Sequence, residues 1–215
     1  MKKTHLAIVA IIILSFSVSI YIYPQMPDMI ASHWNSEGDV DGYMSKSWGL
    51  FLMPIISIVL LLFFIFLPKT DPLKKNINQF KKYFDGFILI MFLFLFYIHL
   101  LTLSWNLNYN FSMTRMLLPA LGLLFFYLGF FLEKVKQNWF IGIRTPWTLS
   151  NQEVWDKTHK MGGRVFKLSG LVAIAGMIFQ DIAFWLFIGV VVTGVICLFI
   201  YSYVIFKKLD KNQKV

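Results

Sequence analysis

The sequence predicts an all-α integral membrane protein: a six-span helical bundle with both termini cytoplasmic and a short interfacial cytoplasmic helix near 151–162. Three observations predict it. Of 215 residues, 58% are apolar and only 14% are charged, against roughly 25% charged in a soluble domain. Apolar runs recur at the length that crosses a bilayer. The charges between those runs fall almost wholly on one side. Such hydrophobicity excludes intrinsic disorder, and the single cysteine, Cys197, excludes a disulfide framework.

A helix rises about 1.5 Å per residue, so about 20 apolar residues cross a hydrocarbon core of roughly 30 Å. The first four runs are 6–23, 48–67, 87–105 and 116–132. The last, 168–206, has 39 residues and would measure roughly 58 Å as one helix. It must fold back, and Gln180-Asp181 is its strongly polar break, giving spans near 166–180 and 183–206. Lys2-Lys3, an apolar core and the small residues Ser17-Val18-Ser19 also fit a signal peptide. Cleavage there would leave the later spans as they are.

With a cytoplasmic N-terminus, 18 of the 20 Lys and Arg residues fall on inner segments, leaving only Lys46 and Arg115 outside. Six of the 11 acids are inside. The positive-inside rule fixes the orientation. The net charge of +9 therefore reports topology, and no direct contact with nucleic acid is expected. The expected organisation is an N-terminal two-span module at 1–67 with an outer loop at 24–47. A basic cytoplasmic loop follows at 68–86. A C-terminal four-span module occupies 87–215, with a cytoplasmic motif loop at 133–167. The basic residues of 74–82 are expected to meet anionic lipids.

The outer loop is rich in Pro, Gly and Asp, with turns expected at 35–38 and at Asp41-Gly42. Its length points to function rather than to a plain connector. Pro27, His33, Trp34, Asn35, Gly38, Asp41, Gly42 and Lys46 are the candidate ligand-binding residues. Glu37-x-Asp39-x-Asp41-Gly42 imitates the start of an EF-hand, but the twelfth position, which should be a bidentate Glu, is Trp48. No metal and no cofactor are expected.

The inner loop carries Gly142, Arg144, Thr145, Pro146, Trp147, Asn151, Glu153, Trp155, His159, Gly162 and Gly163 as candidate partner-contact residues. Ser150-x-x-Glu153 reads as a capping box, so a short helix should start near Asn151 and end at Gly162-Gly163. Trp155, Thr158, His159 and Gly162 then share a face. Three Trp residues with Arg and Lys suit the headgroup layer. Arg144 and Thr145 can hold a phosphate or carboxylate. The alternative is a structural pair of Arg144 with Glu133 or Asp156.

Both loops resemble those of the SdpI family of bacterial membrane immunity proteins. The outer one is similar to the family's N-terminal module of unknown function at Pro27, Ile30, His33-Trp34-Asn35, Gly38, Asp41-Gly42-Tyr43 and Ser45-Lys46. Ala31 stands where the family often has Pro. The inner one is similar to the C-terminal signature without a break over 142–151, then at Glu153, Val154, Trp155, Thr158, His159, Gly162 and Gly163. The resemblance implies self-protection against a secreted membrane-active antimicrobial peptide, recognised at the outer face. It also implies a receptor that sequesters a cytoplasmic transcriptional repressor at the membrane.

Two other classes are weighed against this. In a membrane enzyme, His33 with the outer acids, or Arg144, Glu153 and His159, would serve as acid–base groups, but the sequence shows no metal-ligand spacing, nucleophile elbow or phosphate-cradling loop. A transporter or channel usually carries intramembrane ionisable residues. His99 is the one such residue in the apolar runs, and a hydrogen bond between helices explains it. No inverted repeat is visible.

Overall fold

The computed structural model describes residues 2–176 and 180–213. The order is α1 (Lys2–Ile22), a 3-10 turn (Tyr23–Gln25), β1 (Met29–Trp34), β2 (Val40–Ser45), α2 (Lys46–Thr70), α3 (Lys74–Asn106), α4 (Met113–Leu132), α5 (Pro146–Ser150), α6 (Gln152–Ala175) and α7 (Gln180–Gln213). The protein is an all-α, multi-pass membrane bundle carrying one small hairpin. Among the described residues, five helices are long and apolar enough to cross a membrane: α1, α2, α3, α4 and α7. Their outward faces show Leu6, Ile13, Val59, Phe66, Leu123 and Ile200 to the surroundings. Water would penalise such a continuous apolar surface, and hydrocarbon does not.

The expected fifth span, near 166–180, falls on α6, which is not among those five. Its first half is charged and its second half, from Leu168, is apolar. It starts at the inner end, beside α5, and delivers Gly176 to the outer end, where Gly176 and Trp185 share a cavity wall with Ser36, Glu37, Ser112 and Arg115. The fold-back is expected at Gln180-Asp181; α6 ends at Ala175 and α7 begins at Gln180. Residues 177–179 lie outside the described residues, and Gln180 opens α7 rather than breaking a span.

Four expectations are corrected. The loop at 68–86 is helical from Lys74, because Ile77, Phe80, Phe84 and Ile88 recur at helical spacing and bury one stripe in the inner core with Phe131 and Trp155. The helix near 151–162 does not stop at Gly162-Gly163 but continues to Ala175. Those glycines permit close packing. A Cβ on Gly129 would lie 2.6 Å from the Gly163 carbonyl oxygen, and one on Gly122 would lie 2.7 Å from that of Gly170. Helices in lipid associate through such small-residue contacts. The outer loop is a β-hairpin, and Asp41-Gly42 lies within β2 rather than in a turn. The capping box at Ser150-x-x-Glu153 is replaced by Asn151, whose side chain accepts from the N–H groups of Glu153 (2.8 Å) and Val154 (3.1 Å).

α3 packs on α1 and α2 as well as on α4. Ser19 of α1 donates to the Leu50 carbonyl of α2 at 2.7 Å and lies 3.0 Å from Nε2 of His99 in α3. The serine hydrogen is committed to Leu50, so the His99 ring donates to Ser19. His99 thus ties three helices together, as a hydrogen bond between helices requires.

Candidate functional site

The candidate residues collect at opposite ends of the bundle. At the outer end, β1 and β2 pair antiparallel, Met29 opposite Ser45, Ile30 opposite Met44 and His33 opposite Gly42, with bulges around His33. The expected turn at 35–38 forms. The Asn35 side chain accepts from the N–H groups of Glu37 (3.0 Å) and Asp39 (2.9 Å), and Gly38 takes φ +92°. His33 Nδ1 contacts the Asp41 carboxylate across the strands, and Gly42 leaves room for the His33 side chain. Lys46 opens α2, with its N–H on the Asp28 carbonyl at 2.9 Å and its ammonium 4.7 Å from the centre of the Tyr23 ring. Pro27 is exposed in the link between the 3-10 turn and β1.

The hairpin is fastened to the bundle by Trp34 of the predicted set and by residues outside it. Ile30 is fully buried with Met26, Leu50 and Leu103. Trp34 meets Trp105 edge-on, with ring centres 5.6 Å apart. The Asn106 side chain accepts the Ala31 N–H (2.8 Å) and donates to the Ala31 carbonyl (3.0 Å). A side-chain amide thus takes the place of a third strand. Beside the hairpin lies a cavity of about 320 Å³, mostly apolar, walled by Met53, Ile98, Leu117 and Phe184 and edged by His33, Trp34 and Asn35. It suits an apolar segment with polar groups along its rim, where Ser32, Ser36 and Thr102 join His33 and Asn35.

At the inner end, residues 133–151 fold against α3, α6 and α7. Asn138 is fully buried. Its oxygen accepts from the N–H groups of Phe140 (2.9 Å) and Ile141 (2.6 Å), and its nitrogen donates to the carbonyls of Lys136 (2.8 Å) and Ile141 (2.9 Å). Asp71 accepts from the Trp139 N–H at 2.9 Å, and Gln137 donates to the carbonyls ending α5. Gly142 adopts φ +113°, in the left-handed region that favours glycine. A Cβ there would strike the His159 ring. The Ile143 N–H donates to His159 Nε2 at 2.9 Å, so the proton sits on Nδ1, which donates to the Trp155 carbonyl at 2.9 Å. Burial lowers the His159 pKa from 6.5 to about 4, against the opposing pull of the Trp155 carbonyl and Asp156. His159 is therefore neutral near pH 7 with both nitrogens occupied, which leaves it unsuited to moving a proton.

The expected shared face of Trp155, Thr158, His159 and Gly162 is buried throughout. Trp155 stacks on His159 and donates to the Val135 carbonyl at 3.0 Å, so it lies in the protein core and not among headgroups. Trp147 packs on Phe199 and Tyr203 of α7, whereas Trp139 is half exposed. Thr145 and Thr148 form the capping box of α5, which Pro146 opens, and the Thr145 hydroxyl continues to Ser202 of α7 at 3.1 Å.

Arg144 is exposed and donates to the Trp139 carbonyl at 2.9 Å. Among the described residues no carboxylate pairs with it. Glu133 is taken by Lys167 at 2.6 Å, and Glu153 by Lys157 at 2.7 Å. Gly163 sits in the α4–α6 contact. The solvent-facing inner candidates are thus Arg144, Pro146 and Glu153. Asn106, Asp71, Asn138 and Ser202 escaped the sequence reading: Asn106 follows the run 87–105 directly and Ser202 lies inside 168–206, whereas Asp71 and Asn138 sit between runs.

Comparison with known proteins bears on both ends. Residues 134–202 match the SdpI/YfhL protein family, and residues 10–58 match a domain of unknown function, DUF1648. The chain is similar to "Immunity protein SdpI" of Bacillus subtilis (strain 168), 26% identical over 216 residues, covering 99% of this chain and 100% of that protein. No solved structure matches the chain.

Proposed function

We propose that this chain, an SdpI/YfhL-family protein over residues 134–202 with a DUF1648 region ahead of it at 10–58, is a membrane immunity protein that protects its producer from a secreted membrane-active peptide. The observation that carries this reading is the hairpin fastened beside the outer apolar cavity, with His33, Trp34 and Asn35 at its edge. A peptide that partitions into the membrane can lay an apolar segment there and meet the polar rim, and its binding needs no turnover. Full-length similarity to an immunity protein supports the same role.

The finer reading is that the protein is also a receptor. Arg144, Pro146 and Glu153, exposed on a rigid inner loop, would hold a cytoplasmic repressor at the membrane when peptide is bound. Thr145–Ser202 ties that loop to α7, and α7 returns to the outer end with Phe184 on the cavity wall. Such coupling requires peptide to favour one packing of the bundle over another. In this reading 1–67 supplies peptide recognition and 87–215 supplies the partner surface, with the basic segment 68–86 between them.

The test is a tolerance assay. A sensitive host expressing the protein should survive a cognate membrane-active peptide. Unchanged killing at verified membrane expression, across a panel of such peptides, would remove the immunity reading.

A further inference from the structure

We infer that the cleft between the inner ends of α1, α2 and α3 is a binding site for one anionic glycerophospholipid of the cytoplasmic leaflet. The cleft has a volume of about 420 Å³. Its floor is apolar, made by Phe64 and Ile65 of α2 and by Ile77, Phe84 and Ile88 of α3. Its rim is cationic, with Lys69 in the last turn of α2, Lys74 in the first turn of α3, Lys81 about two turns further along and His5 near the start of α1. One carboxylate, Asp85, stands against three lysines there. Lys81 and Asp85 already have partners of their own, and Lys69 has only the Phe66 ring at 5.4 Å, which leaves its charge unneutralised, so Lys69 and Lys74 carry the recognition of a phosphate.

The arrangement divides as a phospholipid divides. Lys69 and Lys74 flank the turn that joins two spans, so their ammonium groups sit where the inner headgroups lie. The apolar floor runs from that level toward the bilayer interior along α2 and α3. A soluble anion would leave this floor wet, whereas an acyl chain covers it. Basic pockets between spans on the cytoplasmic side are a recurrent solution for anionic headgroups. The turn itself is held in place, since buried Asp71 accepts from the N–H groups of Leu73 (2.6 Å) and Trp139 (2.9 Å). The site is therefore formed before lipid arrives, and it is separate from the outer cavity and from Arg144.

The experiment compares thermal unfolding of the full-length protein in neutral detergent with added dioleoyl phosphatidylglycerol or dioleoyl phosphatidylcholine. Binding to the folded state alone raises Tm. Phosphatidylglycerol should raise it by about 3 °C or more above phosphatidylcholine. Lys69→Gln with Lys74→Gln should abolish the difference, as should Ile65→Trp, which fills the cleft without changing charge. Lys136→Gln with Lys160→Gln, on the same face but outside the cleft, should leave it intact. Equal shifts with both lipids would overturn the inference. So would a phosphatidylglycerol shift that survives both cleft variants, one lost equally in the Lys136/Lys160 variant, or one reproduced by inorganic phosphate alone.

Discussion

The side-chain amide of Asn106 pairs with both backbone groups of Ala31, accepting its N–H at 2.8 Å and donating to its carbonyl at 3.0 Å. Ala31 is fully buried, so no water can replace these bonds. This one residue at the end of α3 converts a two-stranded ribbon, marginal by itself, into a fixed wall of the outer cavity.

Asn106→Ala should therefore loosen the hairpin. Each buried backbone group left unpaired costs about 1–3 kcal/mol. The expected result is faster tryptic cleavage at Lys46, loss of peptide tolerance and an unchanged helical circular dichroism spectrum. Cleavage at the wild-type rate would show that Ile30 and Trp34 hold the hairpin without it.

Gly142→Ala should destabilise the inner loop. It meets a positive φ and the His159 ring together, and Ala at a positive φ costs more than the roughly 0.4–1 kcal/mol at stake in compatible positions. The readout is Tm in detergent, with Gly38→Ala as a comparison, since Gly38 shares the positive φ but a Cβ there would only touch Ser112 and Thr114 at ordinary contact distances of 3.6 and 3.8 Å. The drop should be larger at 142.

Acid should weaken the fold through His159. Its folded pKa of about 4 lies below the ordinary 6.5 because of burial. Above pH 6.5 neither state holds the proton and stability is at its full value. As pH falls from 6.5 to 4, the unfolded chain takes up a proton that the folded chain refuses, and about 3 kcal/mol is withdrawn. Below pH 4 this group adds no further loss. His159→Gln, which cannot titrate, should show a flatter unfolding profile between those limits than the wild type.

The apolar spans were legible because lipid demands internal backbone pairing and a fixed length. The amphipathic start of α3 hid among lysines, although Ile77, Phe80, Phe84 and Ile88 already mark its buried stripe. Gly162-Gly163 reads as a helix stop under rules drawn from aqueous proteins. In the bundle it is a contact surface for Gly129, and only the facing helix reveals that. The hairpin escaped because its third partner, Asn106, lies 75 residues from Ala31. The inner motif was visible as a motif, but its assignment was not. Gly142 and His159 serve each other's geometry, and exposure leaves Arg144, Pro146 and Glu153 as the solvent-facing candidates.

Arg144→Ala should leave Tm nearly unchanged, since surface substitutions usually stay within about 0.5 kcal/mol. It should reduce peptide-dependent retention of a cytoplasmic partner at the membrane, read as relocalisation of a fluorescent repressor fusion. Full retention would reduce the inner loop to a structural clamp.

The most direct measurement is survival of a sensitive host exposed to a cognate membrane-active peptide while expressing wild-type protein or Leu117→Trp, which fills the outer cavity from α4. At equal membrane abundance, the wild type should protect and Leu117→Trp should be killed at the rate of cells carrying no copy. Equal protection by both, or no protection by the wild type, would contradict peptide capture at the outer hairpin.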